Sequence, residues 1–293
     1  MSLGPNLFLA LLEGTVAAFV LALTALGLSL VFGVMRVVNV AHGEFFMLGA
    51  VLAWVFSQLV VDSPALGFLI ALVGSPLVVG ALALAVDRAI LRRLNYEPEA
   101  TIIATIGLLY IIQQLVLTFY GPNAQPVPAP ISFRIQFPWF GYAGYKLVVI
   151  ALSAALLLAT WFTLMRTRIG LVMRATQFDR ETAQTFGIPV DRVYSMIFAL
   201  GAMLAAVAGV LIVPIQQAHY LMGLDPLLLS FIVVIIGGLG RLRGTLVAAF
   251  AIGLSDGIIS VFFSPTLAKI IATLLVALVL VFRPSGLFGR PSR

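Results

Sequence analysis

LFLALLEGTVAAFVLALTALGLSLVF, residues 7–32, contains a single ionisable side chain, Glu13. As a helix it would reach about 39 Å at about 1.5 Å per residue, more than the roughly 30 Å of a bilayer's hydrocarbon. Two more blocks, Ala65 to Val86 and Leu147 to Met165, contain no ionisable residue at all. In lipid only helices and closed barrels satisfy every backbone group, and barrel strands would show short alternating segments rather than unbroken runs. The rest of the chain follows suit. Of its 293 residues 62% are hydrophobic and 10% charged, against about half and about a quarter in a soluble domain. The expected fold is all-α: a polytopic transmembrane helical bundle forming one domain over residues 1–293.

Candidate spans fall at 7–32, 39–60, 65–86, 101–120, 146–165, 193–213, 227–240, 244–262 and 266–282. The segment 227–240 reaches only about 21 Å as a helix, so eight or nine crossings are expected, with one short or re-entrant segment near 227–244. Sidedness comes from the basic residues. Of the 17 Lys and Arg, only Arg134, Lys146 and Lys269 fall in one set of alternating connections. The other 14 fall in the second set, which this bias assigns to the cytoplasm. Nine spans keep that alternation unbroken, with the N-terminus outside and the C-terminus cytoplasmic. The net charge of +6 is thus a matter of membrane orientation, and no nucleic-acid partner is expected. Met1 to Asn6 lacks the basic start of a signal peptide, and the first apolar block is long enough to span.

Two connections are long. Residues 121–145, outside, are rich in Pro and aromatic residues and read as an extended loop at the interface. Residues 166–192, inside, contain a short helix signal. Asp179 is a candidate N-cap, Gly187 a candidate C′ glycine, and Pro189 blocks continuation. Such a helix either presents a rigid surface to a partner or lies on the headgroups.

Polar residues at membrane depth are functional candidates. The densest group, Asn39-Val40-Ala41-His42-Gly43-Glu44, opens the second span. At helical spacing Asn39, His42 and Gly43 share a face. The group either lines a pathway or gate, or ties the first two helices together with Arg36 as counter-charge. With only His42 and His219 in the chain and no cysteine, converging zinc ligands and thiol chemistry are not expected. Glu13, Gln113, Gln114 and Asp256 read as separate helix contacts, and His219 and Asp225 as solvated loop residues. Small residues, among them Gly27, Gly33, Gly43, Gly209, Gly237 and Gly238, permit close helix packing. The Gly-Gly-Leu-Gly run at 237–240 lacks the Lys-Ser/Thr of a Walker motif. No catalytic residue, ATP site or metal is expected in this chain.

Taken together, several blocks resemble the permease subunits of branched-chain amino acid ABC importers. The segment from Gly27 to Ala50 (GLSLVFGVMRVVNVAHGEFFMLGA) is similar to the family's first characteristic segment along its whole length. RIGLVMRA at 168–175 and GIPVDRV at 187–193 resemble the two ends of its cytoplasmic loop. FALGAMLAAVAG at 198–209, VIIGGLG at 234–240 with Gly244, and RPSGLFG at 283–289 complete the ordered match. The resemblance implies a second homologous permease, two cytoplasmic ATPases that carry ATP and Mg, an external solute-binding protein, and a bacterial plasma (inner) membrane. It also implies that the short loop helix is a coupling helix. Glu181-Thr182-Ala183 with Gly187 four residues on is similar to the family's ATPase-facing pattern, which points to Arg174, Asp179, Arg180, Glu181, Ala183 and Gly187. The chain departs from the pattern at Arg241-Leu242-Arg243-Gly244, where members often carry a Ser-Ile-Pro-Gly-like turn. It also lacks the acidic pair common near Gln177 to Asp179. Urea and short-amide permeases share these features. An ATP-independent secondary transporter or channel built on Asn39, His42 and Glu44, and a non-transporting scaffold, are the rival readings.

Overall fold

The computed structural model describes residues 3–282; the tail motif at 283–289, Arg290 and Arg293 lie outside the described residues. Each expected span falls on a helix, although residues 39–41 and 238–240 lie outside one. The helices are α1 (Leu3–Met35), α2 (His42–Leu59), α3 (Pro64–Val86, continued by a π-helical turn Asp87–Leu91) and α4 (Pro98–Tyr120). They continue with α5 (Gly144–Arg166), α6 (Arg168–Phe178), α7 (Arg180–Thr185), α8 (Val190–Gln216), α9 (Leu224–Gly237), α10 (Leu242–Phe262) and α11 (Pro265–Phe282). Seven, namely α1, α3 with its π-turn, α4, α5, α8, α10 and α11, are long and apolar enough to cross a membrane. Of the remaining two of the nine segments, α9 is short at 14 residues, while α2, with 18 residues like α11, carries the polar His42 and Glu44 in its first turn.

The 121–145 connection folds into a hairpin, β1 (Arg134–Gln136) against β2 (Gly141–Ala143), with Arg134 opposite Ala143. Phe137 of its tip meets Phe8 of α1 edge-on at 5.2 Å between ring centroids. The 166–192 connection carries α6 as well as the short helix read from the sequence.

The core is α1 and α8, the two most enclosed helices, each about five-sixths buried along its most apolar window. They meet where Gly27 and Gly201 lie backbone to backbone; a Cβ on Gly27 would sit 2.6 Å from the Gly201 carbonyl oxygen. On α1's other flank Gly14 packs on Leu254 of α10, and a buried Thr245 hydroxyl donates to Ser29 at 2.9 Å. With no hydrophobic drive between helices in lipid, such small-residue contacts and buried hydrogen bonds hold the bundle.

α1 and α8 also share a plan. Each ends at a residue with positive φ (Arg36, 56°; Gln217, 66°), then a short connection, then a short helix. The two short helices begin side by side, Gly43 on the Gly223 carbonyl and Gly223 on that of Gly43. The end of α1 lies near the start of α8, since the Arg36 charge acts on Tyr194. The two long-then-short units are therefore inverted, an arrangement common in transport proteins.

The connections gather at opposite ends of the bundle. At one end Arg92 pairs with Asp191 at 2.9 Å, and Gln177 donates to the Gly240 carbonyl at 3.1 Å. At the other, Lys269 pairs with Asp225 and Lys146 with Glu13, each at 2.5 Å, and Gln125 bridges Ala218.

Gly27→Leu should overpack the α1–α8 crossing and cost about 1–3 kcal/mol. A lower melting temperature in detergent is expected; an unchanged one would show that the two backbones are not in contact.

Candidate functional site

Three features stand out: the polar start of α2, the α6–α7 connection, and a cavity at the far end of the bundle from that connection.

α2 starts inside the bundle. The His42 ring Nε2 lies 2.9 Å from the Thr24 carbonyl, and Thr24 is roughly three turns, about 16 Å, before the end of α1. A carbonyl only accepts, so Nε2 carries the proton and neutral Nδ1 is an acceptor. Glu44 Oε1 accepts from Gln113 Nε2 of α4 at 2.9 Å. Asn39 lies outside the helix, so it shares no helical face with His42 and Gly43. Its Oδ1 accepts from the Ala41 N–H at 3.1 Å and shapes the turn that launches α2. The Val40 N–H is taken by Thr105 of α4 at 3.2 Å. All three side chains are buried, and Asn39 Nδ2, His42 Nδ1 and Glu44 Oε2 make no hydrogen bond among the described residues. Arg36 is exposed and makes no ion pair with Glu44 among the described residues. Its charge acts instead on Asp179.

The packing glycines are distributed as follows. Gly27 meets Gly201, Gly33 meets Gly240, and Gly43 meets Gly223. Gly209 rests on the Phe46 carbonyl and Gly237 on Gly244. Gly238 instead closes α9, with φ 88°.

α7 is capped at both ends. Asp179 Oδ1 accepts from the N–H groups of Glu181 (3.0 Å) and Thr182 (3.1 Å), and Oδ2 from the Thr182 hydroxyl (2.6 Å). At the other end Gly187 adopts φ 78°, its N–H reaching the Gln184 carbonyl at 2.9 Å, while Ile188 N–H reaches that of Ala183 at 3.1 Å. This paired closure is the Schellman motif. Only Ala183 of α7 is buried. Glu181 and Gln184 are exposed, and Phe178 (87% exposed) and Phe186 (83%) flank the helix. Arg180 stacks over Tyr194 of α8, its guanidinium 5.4 Å from the ring centroid. Arg174 turns back onto the Leu164 carbonyl and is not at the surface with the others. α6 carries this unit to the core, through Gln177 on Gly240, which itself packs on Gly33.

The cavity, about 500 Å³, lies between α1, α5, α8, α9, α10 and α11. Its ionisable lining is Glu13, Lys146, His219, Asp225, Asp256 and Lys269. Taken one by one in the sequence these residues read as helix contacts or loop residues; their convergence from separate elements leaves no local signal. Thr24 and Phe46 also line the cavity, so its wall adjoins the His42 contact.

A bundle of apolar helices with an inverted pair of shorter helices at its centre is that of a polytopic membrane protein, in an arrangement found in many transporters. The family described as Branched-chain amino acid transport system / permease component matches residues 10–280, and the chain belongs to it. The high-affinity branched-chain amino acid transport system permease protein BraD of Pseudomonas aeruginosa is 28% identical over 299 residues, covering 96% of this chain and 95% of that protein. LivH of Escherichia coli, of the same description, is 26% identical over 283 residues, 92% of this chain and 91% of its own. The probable branched-chain amino acid transport permease protein LivH of Methanocaldococcus jannaschii is 27% identical over 293 residues, 95% and 92%. No solved structure matches the chain.

Two outcomes are expected. The hydrogen bonds Asp179 accepts from Thr182, side chain then backbone, hold its carboxyl below the usual carboxylate range. Its folded pKa being depressed, the cap is fully present above the unfolded pKa and lost as pH falls through the folded one. Protection of the Glu181 and Thr182 amides, measured against their intrinsic exchange rates at each pH, should fall in acid, and Asp179→Asn, still a capping residue, should remove that dependence. Gln113→Leu strips Glu44 of its donor and should cost about 1–3 kcal/mol, read as a lowered melting temperature.

Proposed function

We propose that the chain is the permease subunit of an ATP-driven ABC importer that moves branched-chain amino acids inward. The carrying observation is the family match over residues 10–280 together with relatives named for that transport along nearly their whole length. In this reading α7 is the coupling helix. It is short, capped at both ends and exposed along Glu181 and Gln184, so it can press into a groove without unwinding. Two ATPases sit beneath it and hydrolyse ATP with Mg, a second homologous permease stands beside it, and an external binding protein delivers the solute. The arginine-rich end faces the cytoplasm of a bacterial plasma membrane, with the N-terminus outside and the C-terminus inside.

Asn39, His42 and Glu44 are the pathway or gating candidates. Each keeps one buried polar atom that no other described residue satisfies, which suits groups that exchange partners between two states. Movement reaches them by contact: α7 on α8 through Arg180 and Tyr194, α6 on α1 through Gln177, Gly240 and Gly33.

The test is reconstitution of the chain with the second permease, the two ATPases and the binding protein in vesicles. ATP-dependent leucine uptake is expected. Uptake by the chain alone, without ATP, would favour a secondary transporter, and preference for urea or a short amide would favour that permease class. Glu181→Lys, or Gly187→Pro at a φ proline cannot adopt, should cut coupled uptake at least tenfold while membrane insertion is kept. Unchanged uptake in both would remove α7 from the coupling role.

A further inference from the structure

The cavity has a definite chemistry. Three carboxylates, Glu13, Asp225 and Asp256, meet two ammonium groups, Lys146 and Lys269. Glu13 pairs with Lys146 and Asp225 with Lys269. Asp256 of α10 has no ion-pair partner among the described residues, although the charges of Lys269 and Asp225 both act on it. The lining thus has one carboxyl group without a cationic partner among the described residues. The walls beside it are aliphatic: Val16, Val20 and Leu21 of α1, Ile212 of α8, Leu229 of α9 and Val261 of α10. A volume of about 500 Å³ lies within the range of small-molecule sites, which pair apolar walls with a few placed polar groups.

We propose that this cavity is a binding chamber within the single subunit for a zwitterionic amino acid with an aliphatic side chain. The inference deepens the transport reading above and rests on it. The ligand's ammonium complements Asp256. Its carboxylate goes to Lys269, whose pairing with Asp225 is half exposed on both sides and so exchanges at small cost. The hydrocarbon side chain lies on the α1 wall. A bare metal cation suits the site poorly, because no group of three or more His, Cys, Asp or Glu among the described residues could hold one. Bound there, the ligand reaches Thr24 and Phe46. Thr24 is the residue whose carbonyl takes the His42 N–H, so occupancy is felt at the start of α2.

The experiment measures labelled L-leucine on the full chain in lipid nanodiscs. Two competitors each lack one charge: 3-methylbutylamine has no carboxylate and 4-methylpentanoate no ammonium. Saturable leucine binding is expected, with each competitor at least tenfold weaker than leucine. Asp256→Asn should weaken leucine at least tenfold, and Ser260→Trp, which projects from α10 into the cavity, should abolish binding. Elution profile and melting temperature show that the variants fold; if either does not, Lys269→Gln near the exposed rim takes its place, with the same tenfold loss expected. The proposal is overturned if no saturable binding is seen, if the amine competes as well as leucine, or if the folded variants bind like the parent. The same variants in the reconstituted importer separate the two readings. Leucine uptake unaffected by Asp256→Asn overturns the chamber and leaves the transport function standing. Saturable zwitterion binding by the chain, with no leucine uptake by the assembled system, does the reverse.

Discussion

Backbone lies on backbone at the centre of this protein, Gly27 on Gly201 and Gly43 on Gly223, and the remaining geometry depends on those approaches. A bilayer offers no hydrophobic reward for bringing two apolar helices together, so the contact itself must be close. A side chain at either crossing would hold the axes apart. The first crossing sets α1 against α8 in the core. The second lets α2 and α9 begin next to each other, deep in the bundle, where their first N–H groups are out of reach of lipid.

That depth has a cost which the surroundings offset. A helix that starts within the membrane leaves unpaired N–H groups at its first turn, and hydrocarbon cannot satisfy them. Here Asn39 takes the Ala41 N–H, the Ala41 carbonyl takes that of Glu44, and Thr105 takes that of Val40. The polar cluster around His42 is therefore partly structural: it makes an interior helix start possible. The unsatisfied atoms on the same three side chains are the ones the proposed pathway or gating role would use, so the two readings of the cluster describe different atoms of the same residues.

Much of this is legible in the sequence because membrane constraints act locally. Span lengths, the basic connections and the caps of α7 each depend on a few adjacent residues. The Asp179 N-cap and the Gly187 closure can be read for that reason. α6 escapes such a reading, although Thr167 caps it and Gly170, Met173 and Thr176 form its buried face at helical spacing; Arg168 and Arg174 disguise it as loop. Spacing alone starts α2 three residues early, because Asn39 fits the helical pattern without belonging to the helix. The inversion of α1–α2 against α8–α9 leaves only a faint trace, an Ala-His pair after each long helix, Ala41-His42 at the start of α2 and Ala218-His219 in the turn before α9. The cavity leaves none, since its charges are drawn from separate elements and only packing joins them.

The two ends of the bundle are braced differently, and that difference bears on how the ends could communicate. At the arginine-rich end an exposed ion pair, Arg92 with Asp191, stands beside links through a backbone carbonyl and packed glycines: Gln177 to Gly240, and Gly240 onto Gly33. The glycine contact is stiff, because neither partner has side-chain freedom to absorb a displacement. At the opposite end the links are Lys–carboxylate pairs, one largely exposed and one partly so, which break and re-form easily. A displacement of α6 and α7 has a route to α1 through the glycine contact, and the Lys–carboxylate pairs lining the cavity can re-form in response. In the proposed importer, force enters at the stiff end and the solute meets the compliant one.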